Sequence, residues 1–371
     1  MRAVIHVQHL LGTGHTVRAA ALARALTANG VEVTLVLGAR PPATLDLGGL
    51  ARVQLPPVLA TDATFKILLG DDGTPYEDLM DERRETFAAT VASVKPDILL
   101  TETFPFGRRR FAGEVVPILK ELPAPRPIVA ASVRDVLVQK SPQKEREMAA
   151  LARAHYDCVL VHADPHFVTL GESFGAAGDV ADLIRYTGFV HAPAPAAAPC
   201  RKGIMVSAGG GDVGANLVEA AIAAARQLDQ HPWHILVSHW VEEATLHRWQ
   251  ASAPDYVRVE RNRPDFRTLL SGAALSISQA GYNTVLDVIA AGTRAILVPF
   301  AAEGEDEQTK RAAALQRRGL AQVLPESTLS AQGLAALVET ALIAPLPQRP
   351  AIDLNGAAQS AAILVEAARA R

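Results

Sequence analysis

The segment ALSISQAGYNTVLDVIAAGTRAILVP, residues 274–299, holds an apolar run (274–278), a glycine-bearing turn (Gln279 to Thr284), a helical pattern from Val285 to Ala291 stopped by Gly292, and a second apolar run (295–299). Strand, turn, helix and strand in that order make a parallel βαβ unit, because parallel neighbours need a crossover connection. Such sheets place their ligands beyond the carboxyl ends of the strands. The turn is therefore the place to look for chemistry. Asn283 or Thr284 is expected to cap the helix, leaving its first N–H groups and their partial positive charge for phosphate oxygens. Asp287, about one turn after Thr284, is then placed to reach the two hydroxyls of a ribose beside that phosphate; the plainer reading is an acid that only stabilises the helix.

The same alternation continues on both sides of this segment. In the second half, 203–207 (GIMVS), 234–238 (HILVS) and 256–260 (YVRVE) read as further strands; in the first half, 2–8, 31–37, 97–101, 127–133 and 158–162 do. A helix from about Thr16 to Ala28 carries Val17, Ala20, Ala21, Arg24, Ala25 and Ala28 at three-and-four spacing, and Asn29-Gly30 stops it. Between the halves lies HAPAPAAAPC (191–200), a spacer composition. The expected organisation is two α/β domains in tandem: residues 1–190, a linker at 191–202, and residues 203–355. A final helix within 356–371 is suited to pack back on the first domain.

Two more glycine loops follow predicted strands. Gly12-Thr-Gly-His15 lacks the third glycine of a dinucleotide fingerprint, and no acid ends the second strand, which argues against a nicotinamide enzyme. It puts Gly14 and His15 at a helix N-terminus facing the interdomain cleft, where the helix field disfavours imidazolium and suits His15 to act as a neutral base on an acceptor hydroxyl. The plain alternative is a structural or capping histidine. Ser207-Ala-Gly-Gly-Gly-Asp212 offers Gly209, Gly210 and Gly211 for close backbone approach to a diphosphate. After the strand ending at Pro299-Phe300 comes an acidic loop ending in Glu307-Gln308, whose side chains would meet sugar hydroxyls or else form a solvated helix start. Glu102, Arg134 and Asp135 follow first-half strands and are candidates for the acceptor side, against the reading as strand-end salt bridges.

At 371 residues the chain can bury two cores. A formal net charge of −3 gives no general attraction to nucleic acid. Cys158 and Cys200 are too few for a disulfide framework or a zinc site, which points to a reducing cytoplasm. No apolar run has the length of a signal peptide, nor the roughly 20 residues of a membrane span, so any membrane contact would be peripheral. The triplet Arg108-Arg109-Arg110, close to Phe104, Phe106 and Phe111, is either a solvated loop or helix start, or a contact for acceptor or membrane surface.

Taken together these residues resemble the GT-B glycosyltransferases of family 28, the family of the peptidoglycan N-acetylglucosaminyltransferase. The likeness is nearest to a group of predicted bacterial glycosyltransferases with the pattern VQHLLGxGHxxRAAALARAL, here Val7 to Leu26, and SQAGYNT, here Ser278 to Thr284. It extends to Thr101 through Gly107, Ser132 through Asp135 and Pro264 through Phe266. The resemblance implies two Rossmann-like domains with parallel sheets facing a central cleft, the C-terminal one binding a UDP-sugar and the N-terminal one the acceptor. It implies phosphate contact at Gly281, Asn283 and Thr284, ribose contact at Asp287, where the family has a glutamate, and sugar contact at Glu307 and Gln308, where it has paired glutamines. His15 matches the family's histidine, although Gly12-Thr-Gly-His15 is one glycine poorer. The expected reaction is inverting, metal-independent transfer of a hexose-type sugar from a UDP donor to a hydroxyl of a glycan, lipid-linked or small-molecule acceptor, with no cofactor beyond the donor. Expected too is a cytoplasmic location, with peripheral contact at the inner membrane face as its only membrane association. Two alternatives stand beside it: a UDP-sugar hydrolase of the nonulosonic-acid type, which the Gly-x-Gly-His-x-x-Arg opening also resembles, and a non-catalytic nucleotide-sugar-binding protein.

Overall fold

The computed structural model describes all residues except 11–12, 42–44, 62–64, 192–199, 210–213, 301–305 and 349–351. They fall into two compact units, Met1–His191 with Ile352–Arg371, and Ala192–Ala351.

In the first unit the chain runs through β1 (Arg2–Val7), α1 (Gly14–Ala28), β2 (Glu32–Leu37), β3 (Ala51–Gln54), β4 (Val58–Ala60), β5 (Leu68–Gly70), α2 (Tyr76–Val94), β6 (Ile98–Glu102), α3 (Ala112–Lys120), β7 (Ile128–Arg134), α4 (Pro142–His155), β8 (Cys158–His162) and β9 (Ile184–Tyr186). The main sheet has the order β3-β2-β1-β6-β7-β8-β9. All its pairings are parallel, while β4 and β5 form a separate antiparallel pair. β6 and β8 are buried from end to end, as expected of strands covered on both faces. Both nevertheless close on polar side chains, Thr101-Glu102 and His162. A buried polar group at a strand's carboxyl end must be hydrogen-bonded, and Glu102 and His162 are joined through Ser132.

The second unit continues with β10 (Ile204–Ser207), α5 (Ala215–Ala225), β11 (Trp233–Val237), α6 (Glu243–Ser252), β12 (Val257–Arg261), α7 (Phe266–Gly272), β13 (Leu275–Ser278), α8 (Tyr282–Ala291), β14 (Arg294–Leu297), α9 (Glu307–Arg317), β15 (Gln322–Val323) and α10 (Ala331–Ile343). Its sheet has the order β12-β11-β10-β13-β14-β15, again all parallel. Side chains alternate between its faces. Val206, Ile235, Ile277 and Ile296 pack with α5 and α10 on one side, and Met205, Leu236 and Ala295 with α7 and α8 on the other.

The ten strands read from the sequence are all present, shifted by no more than one residue at either end apart from 295–299, which ends at Leu297. The strands not anticipated are short or marginal. β3 (ARVQ) is largely exposed at the edge of its sheet and has no apolar run to announce it. β9 and β15 are three and two residues long.

The helix α11 (Gly356–Arg369) belongs to the first unit. Its Ala361, Leu364 and Val365 enter the core that α1 builds with Leu22 and Leu26. Burying each of the two larger side chains is worth roughly 1.5–3 kcal/mol. The approach to α11 is pinned by backbone bonds from Phe189 to Asp353 and from Gly356 to Phe189. Gly188, at φ +76, makes that closeness possible, since a Cβ there would stand 2.7–2.9 Å from Asp353 atoms.

Candidate catalytic and nucleotide-binding sites

His15 is the second residue of α1, beyond the carboxyl end of β1. Its Nδ1 lies 3.0 Å from Glu102 Oε1 and 2.9 Å from Thr103 Oγ1. Arg18 Nη2 is 3.2 Å from the same nitrogen, but a carboxylate only accepts, so the ring proton belongs on Nδ1 and the lone pair on Nε2. The His15 side chain is 13% exposed. Burial first, and then the Arg108 guanidinium, lower its pKa to about 3 against the opposing pull of Glu102. The imidazole is therefore neutral, as anticipated, but desolvation and a neighbouring cation are the causes found, in place of the helix field invoked from the sequence.

Glu102, the last residue of β6, is buried. One oxygen takes His15 Nδ1, Thr103 Oγ1 at 3.1 Å and Arg18 Nη2; the other takes Arg18 Nε at 3.3 Å and Ser132 Oγ at 2.5 Å. Burial alone would raise its pKa, yet Arg18 and His15 hold it below the usual carboxylate range. The chain of bonds extends across the sheet. Since Ser132 donates to Glu102, its oxygen accepts from His162 Nε2 at 2.8 Å, and His162 Nδ1 faces Thr187 Oγ1 at 2.9 Å. His162 is wholly buried and, chiefly by desolvation, is lowered to about 3. Gly14 is the first residue of α1; Arg134 ends β7 opposite His162 in register, and Asp135 follows it, buried. The arginine triplet divides its contacts within the chain: Arg108 Nε donates to Gln8 O at 3.0 Å, Arg109 pairs with Glu147, and Arg110 pairs with Glu77.

In the second unit β10 and β13 are neighbours, but α5 leads from β10 to β11 on one side and α8 leads from β13 to β14 on the other. Where successive connections diverge, a crevice opens at the carboxyl edge of a parallel sheet. Gly209 stands on one side of it at φ +77, its carbonyl accepting Asn262 Nδ2 at 3.1 Å. Gly210, Gly211 and the rest of that loop, like Gly12 and the acidic loop at 301–305, lie outside the described residues.

On the other side is the N-terminus of α8. The expected cap is corrected: Gly281, with extended backbone (φ −64, ψ 150), is the N-cap and offers no side chain, while Asn283 and Thr284 lie inside the first turn. The sequence misled because Asn and Thr favour the cap position, whereas the chain here is set by the turn before it. No acidic residue stands in that first turn. The turn itself is gripped from α9. Gln308 Oε1 accepts from Ala280 N at 3.0 Å and Phe300 N at 3.1 Å, and Arg311 Nη1 donates to Ala280 O at 2.8 Å. Arg311 is 1% exposed, with its guanidinium 5.8 Å from the centre of the Tyr282 ring. Glu307 is the first residue of α9. Asp287, one turn along α8, has an unforeseen partner: Arg267 Nε on α7 donates to its Oδ1 at 2.8 Å. The carboxylate is thereby oriented from the start.

Sequence reasoning picked out His15, Glu102, Asp287 and Gln308, and missed Ser132 and His162 as Glu102's chain of partners, and Asn262, Arg267 and Arg311 as supports. A charged residue three places after Gln308 on the same helix face was the one signal for Arg311. Among the described residues, no His, Cys, Asp or Glu side chains cluster to hold a metal ion, and no helix is long and apolar enough to cross a membrane.

Solved structures share this architecture over the full chain. The calicheamicin glycosyltransferase CalG4 aligns with a TM-score of 0.63 at 16% identity, covering 100% of this chain and 96% of its own. MurG of Acinetobacter baumannii aligns with a TM-score of 0.59 at 17% identity, covering 100% and 99%. These likenesses define the class: the fold is that of the GT-B glycosyltransferases. Within that class, residues 205–362 match the glycosyltransferase family 28 C-terminal domain. The curated relatives include UDP-N-acetylglucosamine–N-acetylmuramyl-(pentapeptide) pyrophosphoryl-undecaprenol N-acetylglucosamine transferases. That of Trichlorobacter lovleyi is 30% identical over 177 residues, 46% of this chain and 45% of its own, and that of Rhodospirillum centenum 34% over 135 residues, 35% of each. The matches to such relatives span between 22% and 50% of their lengths.

Proposed function

We propose that this protein transfers a hexose-type sugar from a UDP-sugar to an acceptor hydroxyl with inversion at the anomeric carbon. The observation that carries the reading is the α8 N-terminus, without a side-chain cap or an acid in its first turn, at the divergence of β10 and β13 and held by Gln308 and Arg311. A helix start of this kind stabilises the charge that develops on a departing diphosphate without reorganising. Gly209, Gly281, Asn283 and Thr284 line the diphosphate side, with Gly210 and Gly211 in the same loop as Gly209. Asp287 takes the ribose hydroxyls, and Glu307 and Gln308 serve the sugar.

In the first unit, His15 Nε2 takes the acceptor's hydroxyl proton as the oxygen bonds to the anomeric carbon and the carbon–phosphate oxygen bond breaks. Glu102 stabilises the imidazolium that results. Gly14, Arg134 and Asp135 are assigned to the acceptor side. The relatives' own acceptor is pyrophosphoryl-undecaprenol-linked, which favours an acceptor of related kind, a cytoplasmic enzyme and peripheral contact with the membrane. The reaction as proposed uses no cofactor beyond the donor.

Incubation with a panel of UDP-hexoses, with and without candidate acceptors, tests the reading through UDP release. Acceptor-dependent release is expected, and His15→Ala should slow it by roughly 10²–10⁴-fold while UDP affinity is kept. The free Nε2 lone pair would serve water as well as an alcohol, which keeps a UDP-sugar hydrolase as the second reading. Release of free sugar without any acceptor would favour it, and UDP binding without turnover would leave only a binding protein.

A further inference from the structure

Trp240 is 71% exposed, whereas Trp233 and Trp249, the other tryptophans, are 2% and 4% exposed in the core. A large aromatic held in water is informative when the backbone beneath it is fixed, and this one is. Arg261 Nη1 reaches the carbonyls of Ser238, His239 and Val241 at 3.3, 3.0 and 2.9 Å, and its Nη2 pairs with Glu243 at 2.6 Å. Ser238 Oγ, itself buried, accepts from Trp240 N at 3.2 Å. The turn is thus stapled by a side chain from the next strand.

Its place in the sheet connects it with the nucleotide crevice. Trp240 leaves the carboxyl end of β11, the neighbour of β10. Asn262, next to the bracing Arg261, holds the carbonyl of Gly209, so adjacent residues at the end of β12 fix both the aromatic turn and the glycine loop. The chain then enters α7, whose Arg267 orients Asp287 on α8. A path from the α8 N-terminus past Asp287 and Arg267 therefore leads back to the end of β12, where Trp240 is braced. A nucleoside diphosphate has its parts in that order: phosphates, ribose, base. The base is planar and exposes a π-face, and an indole matches it. Glu242 and Glu243 stand two and three residues further on and oppose an anionic membrane surface.

We propose that Trp240 is the stacking platform for the base of the nucleotide donor, an inference that rests on the donor reading of the second unit. The probes are UDP and inorganic pyrophosphate, which lacks the base, with binding followed by calorimetry and by tryptophan emission. UDP should quench the emission of the exposed indole, and Trp240→Ala should abolish that quenching and weaken UDP about 5- to 150-fold, the worth of one base–aromatic stack. Pyrophosphate affinity should not change, and Trp240→Phe should restore most of the UDP affinity. Equal UDP affinity in wild type and Trp240→Ala overturns the proposal while leaving the donor reading intact. So does loss of binding to phosphatidylcholine vesicles in Trp240→Ala with UDP affinity unchanged, which would assign the residue to a membrane surface. No UDP binding by the wild type defeats the donor reading, and this proposal with it.

Discussion

A neutral histidine serves as a base only if its proton sits on the nitrogen away from the substrate, and in the first unit Glu102 decides this for His15. Because the carboxylate can only accept, it keeps the proton on Nδ1. Glu102→Gln replaces one oxygen with an amide that can donate to Nδ1, releasing the competing tautomer. The expected outcome is a fall in kcat on the order of 10²-fold or more with little change in KM, read from steady-state kinetics on the sugar donor. The same change leaves Arg18 buried without its countercharge, so a lower melting temperature should accompany it. His15 and Glu102 could be read from the sequence as residues at loop and strand ends. That they meet could not, since they are 87 positions apart and only the order β2-β1-β6-β7-β8 makes them and Ser132 and His162 neighbours.

At the scale of elements, α9 serves α8. Gln308 and Arg311, on one face of α9, hold the N–H and C=O of Ala280 and so fix the direction in which α8 starts. Arg311→Met keeps much of the volume and loses the bond to the Ala280 carbonyl. UDP affinity should then drop roughly tenfold, the worth of a charged hydrogen bond, while Arg311→Lys recovers part of it. Calorimetric titration of the two variants with UDP checks this. The strand–turn–helix at 274–291 was legible because apolar runs and glycines mark it locally. The cap was not, because preference for Asn and Thr at a helix start is weaker than the geometry imposed by a tethered turn. Nor was the Asp287–Arg267 pair, which depends on α7 lying beside α8.

For the whole molecule, acid sensitivity follows from three histidines of the first unit, His9 and His162 buried and His15 largely so. His9 is lowered to about 4, and His15 and His162 to about 3, from an ordinary value of 6.5, burial being the first cause in each. Unfolded chains take up these protons below pH 6.5 while the folded unit does not until pH 3–4. Stability is therefore full above pH 6.5 and declines below it, each histidine costing up to about 1.4 kcal/mol per pH unit. Melting temperatures between pH 7 and pH 4.5 should fall in wild type and fall less steeply in His162→Asn; equal slopes would contradict this. Two parallel sheets were legible because their central strands are continuous apolar runs, whereas edge strands such as β3 are not. One feature of the architecture bears on how the protein is made. The core around Leu22 and Leu26 is completed by Leu364 and Val365, so a ribosome must traverse residues 192–351 before it supplies the last wall of a structure begun at β1. The inserted unit is free to mature during synthesis, while the unit that holds His15 and Glu102 waits for its last wall.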